Sequence, residues 1–297
     1  MAKFKDICTK IGSGATPKGG KEAYCEDGIS LIRSQNVLDF AFSAGGLAYI
    51  NELQAEKLKN VIVEEEDVLL NITGDSVARA CIVDKKYLPA RVNQHVCIIR
   101  ADSSKAIPSY LLYYLQLNKK YLLQLASGGA TRNALTKDMI NNLELELPTI
   151  EEQQKVVAVL DDIQKKIDFN NAINENLNQQ IESILLSMFS SAKTDCVRLG
   201  DYLYIKGRIG WKGLKKDEYL DQSKYRIING ESLTKSGVDW LKAGYISKNR
   251  YIESPEIMLK EGDILLSKDG TIGKIGYIDS LETHATVASG IFVIIGE

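Results

Sequence analysis

The fold is decided by a short hydrophobic stretch that occurs twice, as Asp67-Val68-Leu69-Leu70 and, 196 residues further along, as Asp263-Ile264-Leu265-Leu266. Further matches follow in the same order at separations of 196 or 195 residues: Gly74 with Gly270, Leu31-Ile32 with Ile227-Ile228, Val83-Asp84 with Ile278-Asp279, and residues 92–99 with residues 287–294. Ordered matches at nearly one separation are the signature of an internal repeat. The sequence therefore predicts two copies of one domain, each built from short strands bounded by glycine and aspartate turns.

A different kind of segment lies between the copies and begins at Pro148-Thr149-Ile150-Glu151-Glu152. Thr149 and Glu152 have the spacing of a capping box, in which each side chain bonds to the backbone amide of the other residue. Neither proline nor glycine occurs from Thr149 to Lys193. We therefore expect a single helix of about 40 residues, which at roughly 1.5 Å per residue is near 60 Å long.

One face of this helix carries a heptad seam, in which the steps alternate between four and three residues. The seam consists of Val156, Leu160, Ile163, Ile167, Asn170, Asn174, Leu177, Ile181, Ile184 and Met188. Such a pattern is typical of a coiled coil, and asparagines within it fix the pairing register at some cost in stability. An ordinary amphipathic helix on a globular core fits less well, because the segment is about three times the average helix length.

The composition is that of a folded protein with nearly balanced charge. The 297 residues, 44% of them hydrophobic, are enough for about two domains. With 37 basic and 39 acidic side chains the net charge is −2, which excludes a histone-like polybasic protein. The sequence has no apolar run near the roughly 18 residues of a membrane span and no signal-peptide core. Five scattered cysteines without a CxxC pair favour reduced thiols over a disulfide framework or a zinc site, so we expect a cytoplasmic protein.

Catalytic motifs are missing from the sequence. It has no phosphate-binding loop, no GxGxxG and no HExxH, and only two histidines, His95 and His284. Gly74-Asp75-Ser76 resembles a nucleophile turn but lacks the GxSxG pattern and an obvious base. His95 lies beside an apolar strand and is interpreted as structural. The sequence thus favours a protein without an active site.

Charge follows the same division into segments. Residues 1–148 and 197–297 each carry a net charge of +1, whereas residues 150–189 carry −4, so the helix is a poor candidate for contacting phosphates. Basic loops occur at equivalent places in the two copies, at residues 206–216 and 12–21, and Gly12-Ser-Gly-Ala-Thr-Pro is matched with Gly207-Arg-Ile-Gly-Trp-Lys. Arginine and lysine in glycine-rich loops can neutralise phosphates or contact guanine, and asparagine and glutamine suit adenine edges. The candidate DNA contacts are Thr16, Lys18, Lys21, Arg33, Gln35, Asn36, Arg79, Arg132, Lys206, Arg208, Trp211, Lys212, Asn229, Lys268 and Lys274.

Five segments form a set that resembles one known family. They are Phe4-Lys-Asp6-Ile, Gly12-Ser-Gly-Ala-Thr-Pro17, residues 92–100, residues 262–273, and Leu143-Glu-Leu-Glu-Leu-Pro148 followed by Glu151-Glu-Gln153-Gln. As a set they resemble the specificity subunits of Type I restriction–modification systems, over essentially the whole chain. The last segment is the most specific, because in that family it marks the junction between a target recognition domain and a helical spacer.

The resemblance implies an α/β protein (mixed α+β) with mixed sheets and three segments. These are a target recognition domain at 1–148, a coiled-coil spacer at 149–193, and a second, incomplete target recognition domain at 194–297. A complete member would continue beyond residue 297 with a second helical tail and a second spacer. In the family the spacers pack antiparallel, which leaves a homodimer through the spacer helix as an expectation for this chain.

The resemblance also implies a function without catalysis in this chain. Each recognition domain is expected to read one half of a bipartite target in double-stranded DNA. Methyltransferase (modification) subunits would modify adenine, and a restriction motor–nuclease subunit would cleave unmodified DNA. No cofactor is expected here, since S-adenosylmethionine and ATP would be bound only by the partner subunits. The alternative from another class is an adaptor protein that oligomerises through its helix and binds protein partners.

Overall fold

The computed structural model describes residues 1–17, 19, 23–128, 133–191, 197–207, 214–234 and 237–296. They form two compact units, Met1–Ser183 and Ile184–Glu297, divided within one long helix. The strands of the first unit are β1 Ala2–Lys3, β2 Cys8–Ser13, β3 Ile29–Ile32, β4 Ala48–Ile50, β5 Ile62–Val63, β6 Val68–Asn71, β7 Ala80–Ile82, β8 Ala90–Val92, β9 Val96–Ala101 and β10 Glu144–Leu145. Its helices are α1 Phe4–Ile7, α2 Glu52–Lys57, α3 Pro108–Leu117, α4 Lys119–Ser127, α5 Lys137–Asn141 and α6 Ile150–Ser191, the last of which continues into the second unit.

Two four-stranded sheets, ordered β2-β9-β6-β7 and β4-β3-β8-β5, make up most of the first unit. The first sheet is antiparallel, whereas β3 and β8 in the second run parallel. Side chains of β6 alternate between two cores: Val68 and Leu70 pack with apolar residues of the helices, and Leu69 packs with residues of the second sheet. Burial of both faces explains why the strand is an uninterrupted apolar run.

The second unit repeats this strand arrangement. Its strands are β11 Leu203–Lys206, β12 Tyr225–Ile228, β13 Leu233–Thr234, β14 Gly237–Val238, β15 Gly244–Ile246, β16 Ile264–Ser267, β17 Ile275–Tyr277, β18 His284–Val287 and β19 Ile291–Gly296, with helix α7 at Lys248–Ile252. The sheets are ordered β11-β19-β16-β17 and β15-β12-β18, and β12 and β18 run parallel. Leu31 pairs with Arg91 and Ile227 with Thr286, which reproduces the separations of the repeat in the strand register.

The pairing of the first strand in each copy shows that the sequence alignment of the two copies was one residue out of register at this strand. Gly12 pairs with Ile98 in β9, and Lys206 pairs with Val293, the equivalent residue of β19. Gly12 therefore corresponds to Lys206 and not to Gly207. The sequence comparison misplaced this match because the loop that follows the strand shares few residues between the copies.

The two copies differ in what covers the outer face of the antiparallel sheet. In the first unit, apolar residues of α3 and α4, including Leu111, Leu115 and Leu122, pack on this face. In the second unit the same face carries Ile275 and Tyr277, which are 60% and 59% exposed. The described part of the second unit thus presents an apolar sheet face that its counterpart buries.

Helix α6 starts as the sequence predicts. The Thr149 amide donates to Glu152 Oε2 at 3.0 Å and the Glu152 amide donates to Thr149 Oγ1 at 3.4 Å, which confirms the capping box. Gln153 is fully buried: its Nε2 donates to the carbonyl oxygens of Lys105 and Pro148, and its Oε1 accepts from the Ile107 amide. The 42-residue helix is therefore anchored to the first unit at its start.

Candidate nucleic-acid interface

A polar cleft of about 440 Å³ opens in the first unit at the carboxyl ends of the parallel strands β3 and β8, beside the turn that follows β6. Because parallel strands end at the same edge of a sheet, residues distant in sequence meet there. We call it the first cleft; its lining residues are Ser34, Gln35, Thr73, Gly74, Asp75, Ser76, Arg79 and His95.

A cleft of about 750 Å³ occupies the equivalent place in the second unit, at the ends of β12 and β16. We call it the second cleft; its lining residues are Tyr219, Asn229, Gly230, Glu231, Asp269, Gly270, Thr271 and Lys274. The sheet registers match these linings position by position: Gln35 with Glu231, Thr73 with Asp269, Asp75 with Thr271, and Arg79 with Lys274. The repeat therefore preserves the cleft while changing its chemistry.

A glycine with positive φ forms the rim of each cleft. Gly74 has φ 75° and Gly270 has φ 68°, a left-handed conformation that a side chain would strain. A Cβ atom built on either glycine would have no neighbour within 4 Å among the described residues. Both turns thus leave open space where a ligand can approach the backbone closely.

The charged groups of the two clefts differ. Arg79 is half-buried, and its guanidinium forms no hydrogen bond or ion pair with any side chain that the structure describes. The second cleft holds two exposed carboxylates, Glu231 and Asp269, beside the ammonium of Lys274, which donates to the Gly230 carbonyl at 2.8 Å. Within the described residues, the first cleft therefore offers a cationic donor without a side-chain partner and one exposed carboxylate, Asp75, whereas the second cleft has two carboxylates.

A chain of hydrogen bonds reaches the first cleft from the basic loop. The Thr16 hydroxyl donates to Gln94 Oε1, and the Gln94 amide nitrogen lies 2.8 Å from His95 Nε2. The other ring nitrogen, Nδ1, is 2.5 Å from Thr73 Oγ1. If Nδ1 carries the ring proton, as an amide that donates to Nε2 requires, it donates to Thr73 Oγ1 and leaves the Thr73 hydroxyl hydrogen for the cleft. His95 has the structural contacts that the sequence interpretation expects, and it also lines the site.

Several residues predicted to contact DNA instead form hydrogen bonds with the backbone of the turn after β3 or of the equivalent turn after β12. Asn36 is fully buried; its Oδ1 accepts from the Arg33 amide, and its Nδ2 donates to the carbonyl oxygens of Ser43 and Gly45. Both ends of this amide are occupied by backbone, so we remove Asn36 from the proposed DNA contacts. Asn229 Oδ1 likewise accepts from backbone amides of the following turn, although this residue lines the second cleft.

Arg33 and Gln35 share one acceptor. The Arg33 guanidinium donates to the Gly46 carbonyl at 2.5 Å, and the Gln35 amide nitrogen donates to the same oxygen at 3.1 Å. Arg33 is half-buried in this contact, whereas Gln35 is exposed at the first cleft. Gln35 is therefore better placed than Arg33 to reach a ligand.

The described parts of the basic loops lie beside the clefts. Thr16 is exposed and connects to the first cleft through Gln94. Lys206 is exposed at the end of β11, and the Lys268 ammonium lies 4.5 Å from the ring centre of Phe292, next to the turn that carries Asp269. The predicted contacts Lys18, Lys21, Arg132, Arg208, Trp211 and Lys212 lie outside the described residues.

Sequence reasoning missed Ser34, Ser76, Tyr219 and Glu231 of the linings, and it also missed the four polar residues beside the rim glycines: Thr73, Asp75, Asp269 and Thr271. The signal was available, because Gly74 and Gly270 are matched in the repeat and these residues flank them. Glycines matched between the copies indicate a backbone conformation, such as positive φ, that other residues adopt poorly. The residues beside them differ between the copies, so these positions accept side chains of different chemistry.

The heptad seam is largely open along α6. Seven of its apolar members are between 42% and 62% exposed: Val156, Ile163, Ile167, Leu177, Ile181, Ile184 and Met188. Leu160 is half-buried, and Asn170 and Asn174 are exposed. Val156 and Leu160 also border an apolar groove of about 480 Å³ against Tyr110, Tyr113 and Tyr114 of α3. The helix-pairing residues thus form an uncovered apolar surface within the described chain.

The part of the chain that the structure describes has neither a candidate metal site nor a candidate membrane-spanning helix. It contains no group of three or more histidine, cysteine, aspartate or glutamate side chains that could hold a metal ion. Among the described helices, none has the length and apolar character needed to cross a membrane.

The fold and the paired clefts define a class of duplicated, mixed α/β proteins whose two copies are connected by a long helix. Residues 1–179 match the family described as the Type I restriction modification DNA specificity domain. The chain belongs to this family.

Individual relatives agree with the family assignment. The putative type I restriction enzyme MjaX specificity subunit of Methanocaldococcus jannaschii is 24% identical over 304 residues, covering 93% of this chain and 67% of the relative. The type I restriction enzyme HindI specificity subunit of Haemophilus influenzae is 24% identical over 164 residues, covering 54% of this chain and 35% of the relative. For the MjaVIII specificity subunit of M. jannaschii, the chain spans 53% of the relative's length. A crystal structure of the S subunit from M. genitalium shares the fold, with a TM-score of 0.50 and 15% identity over 99% of this chain and 71% of that one.

Proposed function

We propose that this chain is the non-catalytic DNA-reading component of a Type I restriction–modification complex, and that each unit reads one half of a bipartite target. The observation that carries the proposal is the pair of equivalent clefts, one in each copy of the repeated fold. Each cleft has a basic side chain in its lining, Arg79 or Lys274, and a basic loop begins beside it. Two copies of one scaffold with different linings suit two half-sites of different sequence.

In this proposal partner subunits perform the chemistry. Methyltransferase subunits with S-adenosylmethionine would modify adenine in the target, and a motor–nuclease subunit with ATP would cleave unmodified DNA. The chain itself would need no cofactor. The exposed seam of α6 supports the existence of protein partners, because an apolar stripe of this length is rarely left open to water.

The proposal is tested by titrating salt against binding of the chain to random duplex DNA, followed by fluorescence anisotropy. Contacts between cations and phosphates release counterions, so the affinity should fall steeply and linearly on a logarithmic salt scale. Replacing Arg208 and Lys212 with alanine should weaken binding and flatten the slope by about one unit for each lost phosphate contact. The matched control is Lys242→Ala, since the Lys242 ammonium is already paired with Asp239 at 3.1 Å.

An unchanged slope in the double variant would remove the loop 206–216 from the interface. Binding of duplex DNA that does not depend on salt, or no binding at all, would favour the adaptor function instead. In that function the seam of α6 would oligomerise the chain and the repeated units would bind proteins.

A further inference from the structure

The two clefts differ in the hydrogen-bonding groups they present, and this contrast bears on the bases they accept. The first cleft presents the guanidinium of Arg79, which has no side-chain partner among the described residues, the hydroxyl of Thr73 and one carboxylate, Asp75. At the equivalent positions the second cleft has Lys274, whose ammonium is bonded to Gly230, and the carboxylate of Asp269, an acceptor. Glu231 adds a second carboxylate where the first cleft has the amide of Gln35.

Base edges in the major groove differ in the same way. Guanine presents two acceptors, O6 and N7, which arginine can contact with two parallel bonds, whereas cytosine presents an amino donor that aspartate or glutamate accepts. We infer that the first cleft reads a guanine through Arg79 and Thr73, and that the second cleft reads a cytosine amino group through Asp269 and Glu231. This inference rests on the proposed function and deepens it.

The hydrogen-bond chain from Thr16 to Thr73 holds the Thr73 side chain in place at the first cleft. His95 Nδ1 lies 2.5 Å from Thr73 Oγ1, so the hydroxyl is bonded on one side and keeps hydrogen-bonding capacity toward the cleft. In the second unit Gly290 occupies the position equivalent to His95 and Asp269 that of Thr73. The second cleft therefore lacks this positioning residue and has a side chain that can only accept when ionised.

The exposure of the acidic residues in the clefts favours a role in ligand binding over a role in stabilising the fold. Asp269, Glu231 and Asp75 are exposed, and among the described residues no side chain bonds to their carboxylates. A carboxylate facing a phosphate would be repelled, so acidic residues beside a basic loop fit an edge that donates hydrogen bonds. Phosphate contacts alone do not explain the acidic lining of the second cleft.

The test is selection of binding sites from randomised duplex DNA by the whole chain and by cleft variants. Arg79→Gln and Thr73→Val should relax the preference for guanine at one position of one half-site, with a loss of discrimination of about 10- to 100-fold. Asp269→Asn should relax a cytosine position in the other half-site only. Lys86→Ala and Lys242→Ala, which remove exposed cations paired with Asp84 and Asp239, are controls and should leave both preferences unchanged.

The outcomes separate this inference from the function on which it rests. Cleft variants that bind DNA with the unchanged preferences of the wild-type chain would overturn the base-reading assignment and leave DNA binding intact. An equal loss of affinity for every sequence would also overturn it, since that is the behaviour of a phosphate contact. A wild-type chain that binds no DNA would overturn the proposed function and this inference together. If Arg79→Gln fails to fold, Arg79→Lys keeps the charge but loses the two-bond geometry, and it should show the same relaxation.

Discussion

Asp67 and Asp263 occupy the same position in the two copies but have different partners. Asp67 is fully buried; its carboxylate accepts from the Glu64 amide at 2.7 Å and from two guanidinium nitrogens of Arg100, each at 2.8 Å. Hydrogen bonding to Asp67 raises the pKa of Arg100 above its usual value, and Arg100 also forms an ion pair with Glu64 at 2.5 Å. Asp263 keeps the backbone bond, from the Lys260 amide at 2.8 Å, but has no basic side chain within ion-pair distance in the described chain.

We expect Asp67→Ala to destabilise the protein more than Asp263→Ala does. The first change removes an acceptor from the Glu64 amide and two bonds from Arg100, whose side chain is 22% exposed and keeps its ion pair with Glu64 at 2.5 Å. The expected loss is therefore below the roughly 3–5 kcal/mol of a fully broken buried pair. The second change removes one acceptor from a backbone amide, at about 1–3 kcal/mol. Urea unfolding followed by circular dichroism measures both losses. Equal losses would contradict the assignment, and in the double variant Asp67→Ala/Arg100→Ala part of the first loss should be recovered.

At the scale of the element, the seam of α6 is symmetric about its centre: apolar residues and asparagines have the same spacing from either end. Each seam residue has a counterpart equally distant from residue 172: Val156 and Met188, Leu160 and Ile184, Ile163 and Ile181, Ile167 and Leu177, and Asn170 and Asn174. In an antiparallel pair of identical helices, these counterparts face each other across the two-fold axis. Only this register places asparagine against asparagine, and a shift by one heptad would bury an amide against an aliphatic side chain.

We therefore predict that a second copy of α6 can pair with the first in this antiparallel register. Each of the eight apolar seam residues contributes roughly 1.5–3 kcal/mol when fully buried, so covering the seam is strongly favourable. Light scattering should show a dimer for the parent chain and a monomer for Ile163→Asp and Ile181→Asp. Ala172→Asp adds the same charge outside the seam and should leave the dimer intact. A monodisperse, helical monomer for the parent chain would argue against self-pairing and leave the seam for a partner subunit.

At the scale of the whole molecule, one scaffold occurs twice with different surfaces. The strand registers and the left-handed glycines at the cleft rims, Gly74 and Gly270, are common to the two units. The residues that differ include those that line the clefts and those of the loops that follow β2 and β11. Since contacts to base edges carry specificity, divergent clefts on a shared scaffold predict two different half-sites.

Replacing residues 1–148 with the first domain of another family member should accordingly change one half-site and leave the other unaltered. The domain borders at residues 148 and 193 stay predictions, and this exchange tests the first of them. Sequencing of methylated DNA, after incubation with the methyltransferase partner, identifies both half-sites. If both halves changed together, the two units would not read DNA independently.

Much of the fold follows from local patterns in the sequence. The repeat is visible because buried strands keep their apolar residues and their glycine turns, as in residues 67–74 and 263–270. The helix is visible because capping and heptad spacing involve residues only three or four apart. The predicted first-strand match was wrong by one residue, because a loop with few shared residues carries no register of its own.

The sequence by itself determined the duplication, the capped 42-residue helix and the identity of its seam, since each is encoded within a few neighbouring residues. Only the tertiary structure decided which polar residues share a site. Parallel pairing of β3 with β8 brings Gln35, Arg79 and His95 to one cleft, and it buries Asn36 from the same turn. The physical reason is that pairing between strands about 60 residues apart depends on the packing of both sheets, and no local spacing in the sequence encodes it.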